Sequence, residues 1–179
     1  WDMSNVTDIS RMFYGCTNLS KLYARWDTSS VTSMTGVFAY TGFTSLADIV
    51  GLFPNSPTGW DLSGVTSLAG MFEGSLLTSF TWESTQDTSN VTDFSNMFAG
   101  SHQLQTVDLS NLDTSSAVNL SGMFDGCAAL TTVNASNLNA TGVTDVTSMF
   151  KNTSSLTSVT GMTNANFATA TSNSFTDMF

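Results

Sequence analysis

Residues Gln86 to Gly100 read QDTSNVTDFSNMFAG, and the fold follows from the recurrence of this stretch along the chain. Its Met97-Phe98 pair aligns with Met12-Phe13, Val37-Phe38, Met71-Phe72, Met123-Phe124, Met149-Phe150 and Met178-Phe179. The Phe-to-Phe intervals are 25, 34, 26, 26, 26 and 29 residues. Twelve residues before each Phe stands a large apolar residue (Trp1, Trp26, Trp60, Leu112, Leu138, Phe167), with Gln86 the exception. A period near 26, with insertions after the second and sixth copies, marks a stack of like units, each of which buries its flanks on its neighbours.

Inside the quoted stretch Val91, Phe94, Met97 and Phe98 fall at i, i+3, i+6 and i+7, which lines up one face of a short helix. Asn90 stands where an N-cap would, and Asp93 brings a carboxylate to the first turn. At the far end Gly100, matched by Gly15, Gly74, Gly126 and Asn152, accepts the left-handed geometry of a helix C-cap. A helix of about nine or ten residues per repeat is therefore expected. After the cap, Leu104, Val107, Leu109 and Leu112 point one way while Thr106, Asp108 and Ser110 point the other. Leu130, Val133 and Ala135 repeat this, as do Leu156, Val159 and Gly161, and Leu19, Leu22 and Ala24. Such alternation predicts one short strand per repeat, parallel to the next because a crossover separates them.

The expected architecture is an α/β solenoid of about six and a half repeats, one strand and one helix in each. Residues 1–179 form a single repeat domain with an insertion at 51–59 around Pro54 and Pro57. Strands sit about 4.8 Å apart and helices about 10 Å, so the stack is expected to bow with its strands on the concave side.

Only 10% of residues are charged, and the net charge of −10 sets fourteen acids against Arg11, Lys21, Arg25 and Lys151. Phosphate backbones and anionic lipids need a basic patch, so nucleic acid is excluded as a partner. No apolar run reaches about 18 residues, so no membrane insertion is expected within these residues. The chain opens at Trp1 and stops at Phe179, both repeat landmarks, and reads as a piece of a longer array whose secretion signal or anchor lies elsewhere.

The segments WDMSNVTDISRMFYGCTNLSKL, DTSNVTDFSNMFAGSHQLQTVDLSNLDTSS and GVTDVTSMFKNTSSLTSV resemble the repeats of the BspA-type leucine-rich surface proteins of lactobacilli, mycoplasmas and anaerobes. The likeness covers nearly the whole chain. It implies a leucine-rich-repeat-like solenoid exposed at a cell surface and acting in adhesion or protein binding. The insertion near Pro54 and Pro57, the degenerate last copy FATATSNSFTDMF and the loss of Cys from most copies depart from the pattern. The family has no common catalytic residues to carry over.

The candidate chemistry is sparse. Cys16 and Cys127 occupy one repeat position four repeats apart, about 19 Å in strand spacings, beyond the roughly 7 Å a disulfide spans. Each reads as a small residue filling a turn. His102, the one histidine, has no partners arranged for catalysis, and neither a phosphate loop nor a metal-ligand cluster occurs. No enzymatic activity and no cofactor are expected. Asp2, Asp27, Asp61, Asp87 and Asp113, continued by Asn139, form a column about 5 Å apart, whose mutual repulsion needs an offset. Capping of the Asp-Thr-Ser turn is the expected answer, and calcium bridging between repeats is the alternative. Trp1, Trp26 and Trp60 suit a core column better than a stacking platform, since Leu112, Leu138 and Phe167 take over the position. Seven Asn-x-Ser/Thr triplets follow largely from the repeat itself.

A partner would touch the outward strand positions. They grade from Lys21, Tyr23 and Arg25, through Asp48 and Glu83, to Asp108 and Asn134, with Phe53 in the adjoining insertion. These residues are the candidate contacts of a non-enzymatic, extracellular, cell-surface module that binds protein or glycan. The alternative is a structural repeat protein that self-associates into fibres or sheaths. Ice binding by hydroxyl rows fits poorly, because Asp48, Glu83, Asp108 and Asn134 interrupt them.

Overall fold

The alternation after each Met-Phe pair does form strands. The computed structural model describes residues 2–51, 60–83, 86–161 and 178–179. Within them lie β1 (Leu22–Tyr23), β2 (Ile49–Val50), β3 (Ser79–Thr81), β4 (Thr106–Asp108), β5 (Thr132–Asn134) and β6 (Ser158–Thr160). All pairings are parallel: β1 with β2, and β3-β4-β5-β6 in sequence order. Ser79, Thr106, Thr132 and Ser158 form one register row, and Phe80, Val107, Val133 and Val159 the next. Each repeat thus adds one coil beside the last, in a solenoid-like arrangement. We number the coils by their Phe: Phe13 in the first, Phe98 in the fourth, Phe179 in the seventh.

The expected helix is not there. Among the described residues the only helical element is a single 3-10 turn, Leu46–Asp48. The Met-Phe segment is a run of tight turns instead. In the fourth coil the N–H groups of Met97, Ala99 and Ser101 donate back three residues, to Phe94, Asn96 and Phe98. The alternate N–H groups of Phe94, Asn96, Phe98 and Gly100 donate to Asn119, Ser121, Met123 and Asp125 of the next coil. An α-helix would keep these donors within its own segment. Giving half of them to the neighbour satisfies both coils at one strand spacing. A run of tight turns brings side chains inward about every third residue, so the apolar spacing does not tell it from a helix.

Left-handed backbone makes the corners. Gly15, Gly74, Gly100, Gly126 and Asn152 have φ between 60° and 74°, as their residue types suggested, but they close turns rather than cap helices. A second corner falls four residues earlier, at Arg11, Gly36, Gly70, Asn96, Gly122 and Ser148. Asn90 is likewise no N-cap, since no helix follows it, and its Nδ2 donates instead to the Ser63 carbonyl one coil back at 2.8 Å.

A second ladder runs opposite the strands through Asp8, Ser33, Ser67, Asp93, Asn119 and Asp145, all parallel. Coils therefore meet at the same spacing on both sides, and the unequal thickness that would bow the stack is missing. The Phe column fills the space between. Phe13, Phe38, Phe72, Phe98, Phe124, Phe150 and Phe179 stack ring on ring with centroids 5.4–5.9 Å apart. Trp26 and Trp60 stack alongside at 5.7 Å, and the buried Trp60 donates its Nε1–H to the Ala24 carbonyl at 2.6 Å. Leu112 and Leu138 are buried at the same position, so this column is core.

Candidate recognition surfaces

Most of the residues that looked like chemistry hold turns. Asp2, Asp27, Asp61, Asp87 and Asp113 each accept the N–H of the residue two places on (Ser4, Ser29, Ser63, Ser89, Ser115) at 2.8–3.0 Å, and Asn139 does so from Thr141. Hydroxyl and then N–H donation from the partner serine holds the Asp2, Asp27 and Asp87 carboxyls below the usual carboxylate range. On the opposite ladder Asp93 and Asp145 accept the N–H of Ser95 and Thr147 at 2.9 Å. Among the described residues no group of three His, Cys, Asp or Glu side chains is placed to hold a metal ion.

The threonine after the acid, which spacing and charge did not single out, is the residue that links the coils. Thr28, Thr88 and Thr114 are buried. The Thr88 hydroxyl donates to the Asp113 carbonyl at 2.9 Å and accepts the Asp113 N–H at 3.1 Å. Thr28 bridges Asp61, and Thr114 bridges Asn139, in the same double way. The recurring Asp-Thr pair carried this signal: the acid folds the turn and the threonine ties it to the next coil.

The cysteine position is a donor to a Phe carbonyl. Cys127 gives its thiol to Phe98 at 3.0 Å, Ser101 its hydroxyl to Phe72, and Thr41 and Thr153 theirs to Phe38 and Phe150. Burial pushes the Cys127 thiol up to about 12, whereas Cys16 is exposed, and both are free. His102 is exposed with Nδ1 2.7 Å from the Gly126 carbonyl.

The candidate contacts on the strand face fare unequally. Tyr23 is 73% exposed, with Lys21 Nζ 5.7 Å from its ring centroid, and Arg25 is exposed beside them. Asp48 is drawn into its own 3-10 turn, where Oδ2 accepts the Ser45 N–H at 3.1 Å, so it is a capping residue rather than an open contact. Asp108 and Asn134 are brought together, Asn134 Nδ2 to Asp108 Oδ1 at 3.0 Å, and they cap toward Ser110 and Ser136. With Thr81, Thr106, Thr132, Ser158 and Thr160 they line a shallow groove of about 250 Å³. Glu83 stands apart, in a cleft of about 320 Å³ against Leu46, Ala47, Ile49, Val50 and Gly51. This cleft lies where β2 and β3 do not pair, so the Lys21-Tyr23 row and the Asp108-Asn134 row belong to separate sheets. Phe53 lies outside the described residues, as does most of its insertion.

No described helix is long and apolar enough to cross a membrane. No curated protein and no solved structure matches the chain. The family described as "Mycoplasma protein of unknown function, DUF285" matches residues 1–83 and again residues 77–179. The two matches together span the chain, and the chain belongs to the DUF285 family.

Proposed function

We propose that the chain is a BspA-type cell-surface recognition module, extracellular and non-enzymatic, that binds a protein or glycan through its strand face. The observation that carries this reading is Tyr23. It is the most exposed large side chain on the strands, a cation lies over its ring, and Arg25 stands next to it. Tyrosine and arginine held at a surface are the side chains that anchor interfaces. The remaining strand face offers hydroxyl and amide groups suited to polar contact. The aspartates of the Asp column are occupied in turns, which leaves the strand face to vary on a regular scaffold. Binding screens against host-surface proteins and glycans with Tyr23→Ala, Arg25→Ala and Phe53→Ala test it. Adhesion that survives all three substitutions rejects the strand face as the binding surface.

A second reading is self-association. Among the described residues β2 and β3 do not pair, so each keeps an unpaired strand edge where the two sheets meet. Unpaired coil edges of this kind template the addition of like edges. Light scattering that finds monomers at high concentration rejects it.

A further inference from the structure

The turn edge opposite no strand carries a second surface, in the first three coils. Along it lie Arg11 and Tyr14, then Tyr40, then Glu73. The Arg11 guanidinium carbon is 5.7 Å from the Tyr14 ring centroid, and Tyr14 meets Tyr40 edge to face at 5.3 Å and 67°. Tyr40 Oη donates to Glu73 Oε1 at 2.6 Å. Both rings face solvent, Tyr14 at 50% and Tyr40 at 39% exposure.

Tyr40 is an expensive residue for its position. Its φ of 56° is one that bulky side chains rarely adopt, and the equivalent corners are Gly15, Gly74, Gly100, Gly126 and Asn152. Its ring lies flat over Gly74, where an added Cβ would fall 2.4 Å from Cδ1 and Cε1. Gly74, Glu73 and Tyr14 therefore fix the ring from three sides. Packing does not demand a tyrosine there, since the other coils close without one. Backbone strain kept at one exposed aromatic, with a neighbour shaped to receive it, points from geometry to use.

We infer that Arg11, Tyr14, Tyr40 and Glu73 form a saccharide-binding subsite on the turn edge. Both rings keep part of their aromatic surface exposed for the C–H face of a sugar ring, and the contacts that already hold Tyr40 lower the ordering cost of binding. A guanidinium and a carboxylate at either end supply planar donors and acceptors for vicinal hydroxyls. Arg11 makes no side-chain hydrogen bond or ion pair among the described residues, so its five donors are available. Gly15, Cys16, Thr17 and Asn18, which follow Tyr14, are exposed and small or polar, which suits a hydroxylated ligand. The subsite lies apart from Tyr23 and does not rest on the strand-face reading.

The test is titration of the isotope-labelled chain with cellotetraose, chitotetraose, maltotetraose and a hyaluronan tetrasaccharide, followed through backbone amide shifts. At least one should move the amides of Arg11, Tyr14, Tyr40 and Glu73 together. Tyr40→Gly restores the residue most coils carry, so it should fold with an equal or higher Tm yet bind about tenfold more weakly. Tyr14→Ala should weaken binding similarly, and Tyr23→Ala should leave it unchanged. Absence of shifts with all four sugars at millimolar concentration overturns the inference. So does unaltered affinity in Tyr40→Gly, or a loss confined to Tyr23→Ala.

Discussion

Replacing Thr88 by Val removes one oxygen and keeps the shape of the side chain. In the native coil that oxygen closes two bonds to a single residue of the next coil, donating to the Asp113 carbonyl and accepting its N–H. Thr88 is fully buried, so water cannot replace it without opening the stack. The carbonyl and the N–H of half-buried Asp113 both lose this partner, and leaving such groups unsatisfied where water reaches them poorly costs about 1–3 kcal/mol. Val regains a little through its added methyl, so Thr88→Val is expected to lower stability by about 2 kcal/mol. Thr88→Ser keeps the oxygen and should cost about 1 kcal/mol or less, the worth of one buried methyl group. Urea unfolding followed by circular dichroism and by Trp fluorescence measures both. Coincident transitions show that the array melts as one unit and that the difference can be read as a free energy. A Val variant as stable as wild type, or a Ser variant as damaged as Val, would refute the claim that this hydroxyl ties the coils together.

Other consequences of the structure are as easily checked. A thiol reagent at pH 8 should label Cys16 quickly in the native chain and reach Cys127 only after unfolding, because one is exposed and the other is buried with its thiol pushed up to about 12. Serine donation lowers the folded-state values of Asp2, Asp27 and Asp87, so their stabilising contribution is complete above the unfolded value of about 4 and is lost as pH falls through the folded values. Tm should therefore hold level from pH 7 to about 5 and fall below that. The same carboxylates are occupied by turn N–H groups, so added chelator should leave Tm unmoved. Gly74→Ala should destabilise more than Gly100→Ala in thermal melts: both corners have positive φ, but only the first Cβ collides, with the Tyr40 ring.

Much of the repeat was legible because burial leaves a direct mark on composition. The Met-Phe or Val-Phe pairs of the second to sixth coils, Trp60, Leu112 and Leu138, and the inward residues of β3 to β5 are apolar at fixed spacing, and they are the core. The left-handed corners were readable at Gly100 and Asn152, since few residue types take that backbone. What spacing could not reveal was the destination of the N–H groups. Val91, Phe94, Met97 and Phe98 point inward whether their segment is a helix or a run of turns, and only the long-range pairing of Phe98 with Met123 separates the two. Arg11, Asn96 and Ser148 occupy positive-φ corners without being glycine, so that second corner left no compositional trace. On the strand face the exposure of Lys21, Tyr23 and Arg25 followed from alternation. The diversion of Asp48 into a local cap did not, because it depends on Ser45 beginning a 3-10 turn. The turn edge escaped for a related reason. Tyr14, Tyr40 and Glu73 are scattered in sequence and meet only once the coils lie one strand spacing apart.

The strand face and the turn edge both depend on coils stacked through shared backbone bonds. The most direct test is the scalar coupling across a hydrogen bond in the deuterated, isotope-labelled chain, read at the amide nitrogen of Phe98. A correlation to the carbonyl carbon of Met123, one coil away, is the predicted result. A correlation to Phe94, four residues back in the same coil, would restore the helix and contradict the structure described.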